Sequence, residues 1–171
     1  MKRPFAVTRT GGRLGKCGET PVAKDSGRCF GFKLISAISA RGDMHFDVIE
    51  GSMDAEKFIS FLKKLRQDAG CPVFVIADNA RYHHGKKVQG FLETQTGEIM
   101  MAFLPAHSPE LNPDGQVWNH AKSDVGKRPI KSKLEMEAPV LSAMQSIQQK
   151  VELVKSFFRL PDILYAEKYI W

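Results

Sequence analysis

The hydrophobic positions of this chain change period from one segment to the next, and those changes mark out its elements. Cys29-Phe-Gly-Phe-Lys-Leu-Ile-Ser-Ala-Ile-Ser39 and Met44-His-Phe-Asp-Val-Ile-Glu50 read as two strands joined by a turn at Arg41-Gly-Asp43, a hairpin. From Met53 to about Asp68, Phe58, Ile59, Phe61, Leu62 and Leu65 recur at helical spacing, with Ser52 placed to cap the helix and Gly70 with Pro72 to end it. Val73 to Ala77 is a continuous apolar run, as expected of a strand covered on both faces. A helix follows from about Gly85 to Thr96 with Val88, Phe91 and Leu92 inward, and Ile99 to Leu104 is a second buried strand. The proline-rich loop from Pro105 to Pro113 leads into a helix with Asn112 as N-cap and Pro113 at its first position, where a missing N–H costs nothing. That helix carries Val117, Trp118 and Ala121. A last helical region spans about Ser132 to Phe158 and breaks or restarts near Pro139.

The order hairpin, helix, strand, helix, strand, helix belongs to an α/β domain with a mixed sheet flanked by helices. At 171 residues the chain fits one such domain. Residues 1–28, rich in Gly, Lys and Arg, read as a basic arm or loop, 29–160 as the domain and 161–171 as an aromatic tail. No apolar run approaches the ~20 residues of a membrane span, and the basic start lacks the apolar stretch of a secretory signal, so a cytoplasmic protein is expected. Cys17, Cys29 and Cys71 are too few and too scattered for a zinc cluster or a disulfide framework. Charge adds a partner. The net charge is +6, and Met1 to Lys33 holds eight basic residues against Glu19 and Asp25. A second group is Lys122, Lys127, Arg128, Lys131 and Lys133. Such clusters suit a polyphosphate such as DNA.

Two segments carry candidate chemistry. Val75-Ile-Ala-Asp-Asn-Ala-Arg-Tyr-His-His84 ends a buried strand on the carboxylate of Asp78. Phe103-Leu-Pro-Ala-His-Ser-Pro-Glu-Leu-Asn-Pro-Asp-Gly-Gln-Val-Trp118 ends in a loop feeding a helix. They resemble the second and third catalytic blocks of the DDE transposases, in the branch shared by mariner-like elements and certain bacterial insertion sequences. The resemblance runs from about Arg13 to near Tyr165 and includes Gly18-Glu-Thr-Pro-Val22, Ile35-Ser-Ala-Ile-Ser39 and the Phe58 to Leu65 helix.

The resemblance implies a ribonuclease-H-like fold and DNA cleavage and strand transfer at element ends. It also implies a pair of Mg²⁺ or Mn²⁺ ions held by carboxylates from three segments, one ion activating water or a 3′-hydroxyl and the other stabilising the leaving oxygen. Such hard ions require charged oxygen ligands. Asp78 matches the second carboxylate, with Asn79 and His83 in register; His83 reads either as a contact to phosphate or metal-bound water or as a local hydrogen-bonding residue, and His84 as the latter. The third carboxylate, a Glu in the family, falls at Gly115, 37 positions after Asp78. Asp114 is adjacent, but one residue on a helix is a rotation of about 100°, so it faces elsewhere and reads as a first-turn acid that complements the helix dipole. Glu110 is a loop acid, Trp118 a core residue rather than a base-stacking platform, and His107 and His120 structural or surface residues. Arg13, Lys16, Lys122, Lys127 and Arg128 are the DNA-binding candidates.

The family's first carboxylate lies on a strand before the Gly-x-Thr-Pro turn, yet no acid precedes Glu19. A sheet without that central strand is therefore expected. Losing roughly three buried apolar side chains would remove ~5–9 kcal/mol, unless the run Pro4-Phe-Ala-Val-Thr8 substitutes. The expectation is a bacterial, nucleoid-associated, N-terminally truncated catalytic domain that no longer cuts DNA, without the upstream helix-turn-helix modules that read element ends. The alternative is a DNA-binding regulator that forms oligomers with itself or with full-length transposase and lacks nuclease activity. A nuclease built on Asp78 with Asp114 or Glu110 is a third reading.

Overall fold

Five short strands form one sheet: β1 (Arg3–Val7), β2 (Leu34–Ile38), β3 (Met44–Val48), β4 (Val73–Ala77) and β5 (Ile99–Phe103), in the order β3-β2-β1-β4-β5. The computed structural model describes residues 3–7, 33–127 and 133–169. β2 and β3 pair antiparallel, as does β1 with β2, whereas β4 lies parallel to both β1 and β5. The sheet is mixed, with helices on both faces.

The central strand expected to be missing is present. Arg3–Val7 fills the middle position, with Ala6 opposite Ile38 on one side and Ile76 on the other. Pro4 to Val7 of the run expected as a substitute thus belong to the strand, and the part of the supposed basic arm from Arg3 to Val7 is sheet. Residues 8–32 lie outside the described residues.

β2 shows why its sequence is uninterruptedly apolar around one serine. All five of its residues are buried. Leu34 and Ile38 belong to a core cluster with Val117, Trp118, Met144 and Phe157, while Ile35 and Ala37 belong to another with Phe58, Leu62, Val75 and Ile99. Alternate side chains of one strand therefore seed two cores. The second core is roofed by α1 (Ala55–Ala69) and α2 (Lys86–Thr94), the first by α3 (Asp114–Val125), α4 (Lys133–Gln148) and α5 (Val151–Phe157).

Helix ends follow local chemistry. The cap of α1 is Asp54, not Ser52: its carboxylate accepts the Lys57 amide at 2.9 Å, while the Ser52 carbonyl accepts from Lys57 Nζ. Gly70, at φ 63°, closes the helix in the left-handed conformation. In the hairpin turn, Gly42 has φ 93° and a Cβ there would sit 2.5 Å from Val151 Cγ1, so the turn and the start of α5 both require glycine. The break expected near Pro139 falls instead at Lys150; α4 runs through Pro139, which merely cannot donate to the Glu135 carbonyl. The supposed C-terminal tail is a 3₁₀ helix over Pro161–Tyr169 with Ile163 buried in the first core. Among the described residues no helix is long and apolar enough to cross a membrane.

Candidate active site at the carboxyl edge of the sheet

Asp78 follows the last residue of β4, where ligand sites of α/β sheets open. Its side chain is 32% exposed, and Oδ1 accepts the Ala80 amide at 3.2 Å, an Asx turn that steers the chain into the 3₁₀ turn Arg81–His84. His83 of that turn is 1% exposed. Its Nδ1 lies 2.8 Å from the Asp78 carbonyl and 3.2 Å from Asp78 Oδ1. A carbonyl can only accept, so Nδ1 carries the proton and donates. The His83 ring packs at 4.3 Å from both Phe58 and Tyr82. His83 Nε2 and Tyr82 Oη have no hydrogen-bond partner among the described residues. Burial raises the Tyr82 pKa well above its usual value, and the negative charge of Asp78 adds to the effect. Of the two roles open to His83, the geometry matches the local one: it is walled in and holds the turn behind Asp78.

Asn79 and His84 face outward. Asn79 Nδ2 donates to the Leu104 carbonyl at 2.9 Å, which turns its Oδ1 toward His84 Nε2 at 2.7 Å. His84 therefore carries its proton on Nε2, and its ring lies 4.1 Å from that of Phe103.

The second element of the site is the start of α3. The cap of α3 falls at Pro113, one residue later than expected, and Asn112 just before it still holds the first turn, its Oδ1 accepting the Asp114 amide at 3.1 Å. Asp114 is fully buried. Ser36 Oγ donates to its two oxygens at 3.0 and 2.9 Å, and Trp118 Nε1 donates to Oδ2 at 2.9 Å. The reading of Asp114 as a first-turn acid of small effect is corrected: its carboxylate is an anchor between β2 and α3. Gly115 is the next residue, and a Cβ built there meets nothing within 4 Å. Glu110 is exposed on the 3₁₀ turn Pro109–Leu111. Tyr165 donates from its hydroxyl to the Leu111 carbonyl at 2.8 Å and ties that turn to the C-terminal 3₁₀ helix; burial pushes its pKa up to about 12.

Of the remaining candidates, Trp118 is core and 2% exposed. Lys122 and Lys127 are exposed at the end of α3, whereas Arg13, Lys16 and Arg128 lie outside the described residues. His107 sits in an exposed turn at φ 60°, and His120 packs on Phe157. Sequence reasoning did not find Ser36 or the pairing of His84 with Phe103. A lone serine inside the run Leu-Ile-Ser-Ala-Ile was the available signal for the former.

A pair of divalent ions does not fit the donors that can be placed. Among the described residues no group of three His, Cys, Asp or Glu is arranged to hold a metal. Asp78 is one carboxylate, Gly115 offers none, Asp114 is committed to Ser36 and Trp118, and β1, whose sequence is Arg-Pro-Phe-Ala-Val, carries no acid.

The aspartate at the carboxyl end of the fourth strand and the Leu-Asn-Pro turn opening the helix beyond the fifth lie on one mixed sheet flanked by helices. The chain belongs to the DDE superfamily endonuclease family, whose sequence profile matches residues 6–137. The fold is ribonuclease-H-like. It is similar to Mos1 transposase in its paired-end complex with the left transposon end, at 13% identity and TM-score 0.65 over 99% of this chain and 56% of that one. It is similar also to the catalytic domain of Mos1 mariner transposase (14% identity, TM-score 0.60, 99% and 84% covered). The catalytic core of HTLV-2 integrase in complex with magnesium matches at 11% identity and TM-score 0.54, over 85% of this chain and 84% of that one. The chain thus spans little more than half of the Mos1 transposase chain in the paired-end complex. No curated protein matches the sequence.

Proposed function

We propose that this chain is the catalytic-domain type of an insertion-sequence transposase in a form that engages DNA but does not cut it. The observation that carries the reading is the state of the α3 start. Gly115 stands at the family's third carboxylate position, and the neighbouring acid, Asp114, is turned into the fold to bind Ser36 and Trp118. The family's chemistry joins charged oxygens from three segments around two ions, and a single half-buried aspartate cannot bind two such ions tightly. Among the described residues, Asp78 is the carboxylate this edge leaves open to Mg²⁺ or Mn²⁺. The setting proposed is the cytoplasm of a bacterium, with DNA as partner. A chain that occupies ends or joins an intact transposase without cleaving would act as a regulator of transposition, the role that follows from binding without catalysis.

The test is a cleavage and joining assay on element-end DNA with Mg²⁺ or Mn²⁺. No product above a mock preparation is expected. Metal-dependent cleavage lost on Asp78→Ala would overturn the reading. Because Ala6 lies beside Ile76, Val7 is the β1 residue nearest Asp78 in register. The double variant Val7→Asp with Gly115→Glu is therefore expected to gain metal-dependent nicking that Gly115→Glu alone does not.

A further inference from the structure

Beside Asp78 the surface carries an aromatic shelf that the carboxylate chemistry does not use. Phe103, the last residue of the edge strand β5, is 38% exposed. The exposed His84 ring lies against it at 4.1 Å with an interplanar angle of 35°. The relay from the Leu104 carbonyl through Asn79 to His84 Nε2 fixes that ring while leaving it open to solvent. In a 3₁₀ helix, residues three apart eclipse one another, so exposed Arg81 shares the outer face of its turn with His84, while half-buried Tyr82 and buried His83 take the inner one. An exposed arginine and two rings thus share one face of the surface next to Asp78.

We propose that this shelf is a subsite for an unpaired nucleotide of the DNA, its base stacked on Phe103 and His84 and its phosphate held by Arg81. The proposal rests on the DNA reading above and deepens it. The rings select the unpaired state, because a base within a duplex has both faces covered by its neighbours and only a freed base offers a π-face. Stacking of this kind tolerates any base, so it sets the end structure that binds and not the sequence. Arg81 can take phosphate oxygens through its planar fork and lie flat against an aromatic face, which lysine cannot do.

Three duplexes of one sequence separate the contributions: blunt, with a short 3′ overhang, and with the same overhang made abasic. The abasic strand keeps every phosphate and loses only the bases. By fluorescence anisotropy at one salt concentration, the full-length protein is expected to bind the base-bearing overhang about 5- to 150-fold more tightly than the abasic one. His84→Ala and Phe103→Leu should each bring that ratio close to one, whereas Arg81→Ala should weaken both overhangs alike. His84 is exposed, so its variant tests the shelf even if Phe103→Leu proves poorly folded by circular dichroism. Equal binding of the two overhangs, or a preference that survives both ring substitutions, overturns the proposal while leaving the DNA reading intact. Failure to bind any of the three duplexes overturns both.

Discussion

The hydroxyl of Ser36 bonds both carboxylate oxygens of Asp114 across 78 positions of sequence, at 3.0 and 2.9 Å in the interior of the protein. Ser36 stands on β2 and Asp114 at the start of α3, so this contact, with the Trp118 indole, docks the helix on the sheet.

Ser36→Ala should cost about 1.5–3 kcal/mol, the range for a hydrogen bond to a charged group. Asp114→Ala should cost more, about 3–5 kcal/mol, because it strands the Ser36 hydroxyl and the Trp118 N–H in an apolar core. Urea denaturation of both single variants and the double variant measures this. Strictly additive losses would show that the two side chains do not act together.

Gly115→Glu should stabilise. A side chain there meets open space, replacing a helical glycine gives about 0.5–1 kcal/mol, and an acid in the first turn adds about 0.3–1 kcal/mol. The expected outcome is a higher urea midpoint with no DNA cleavage. A fall in stability would mean that the start of α3 is more crowded than its geometry shows.

Tyr82→Phe should raise stability by about 1 kcal/mol, since it removes a buried hydroxyl that has no partner among the described residues. Its pH signature has a definite sign. The folded pKa lies above the usual 10.0, so the contribution is complete below pH 10 and fades as pH rises past it, where the unfolded chain ionises first. Denaturation between pH 8 and about pH 11 should show a steeper alkaline loss in the wild type than in the variant.

Duplex binding through the basic groups should be weak, indifferent to sequence and strongly dependent on salt. With about four phosphates neutralised, log K should fall against log salt with a slope near −3.6. Replacing the exposed Lys122 and Lys127 together by alanine should make that slope shallower by about 1.8 if each meets a phosphate. A titration at several salt concentrations reads both values, and an unchanged slope in the double variant would move the contact elsewhere.

How far the sequence could be read followed from how locally each feature was determined. Val73–Ala77 was legible to the residue, because a strand covered on both faces leaves no polar position to blur its ends. Asp78 and the start of α3 were legible, the latter to within one residue, because each marks the boundary of an element. β1 was harder to see. It is five residues long, lies in basic, glycine-rich sequence, and contains a proline that ordinarily argues against a central strand. The structure accommodates Pro4 because β2 is in register only with Ala6 and Val7. The burial of Asp114 depends on a serine far away in sequence, and neither the proline-rich loop nor the helix period hints at it. The His84 and Phe103 shelf likewise joins a turn to the end of another strand, a juxtaposition that only the packed sheet creates.

The placing of β1 has a mechanical consequence. The strands on either side of it share no hydrogen-bonded neighbour but this one, so the β2–β3 hairpin and the β4–β5 pair are joined within the sheet by five residues. Those residues come from the far start of the chain, and the contacts that they close are long-range ones, slow to form in folding. A perturbation of β1 should therefore loosen Asp78 from the Gly115 helix, read as faster hydrogen exchange along β2 and β4, which are then held together only by the core that Ile35, Ala37 and Val75 share.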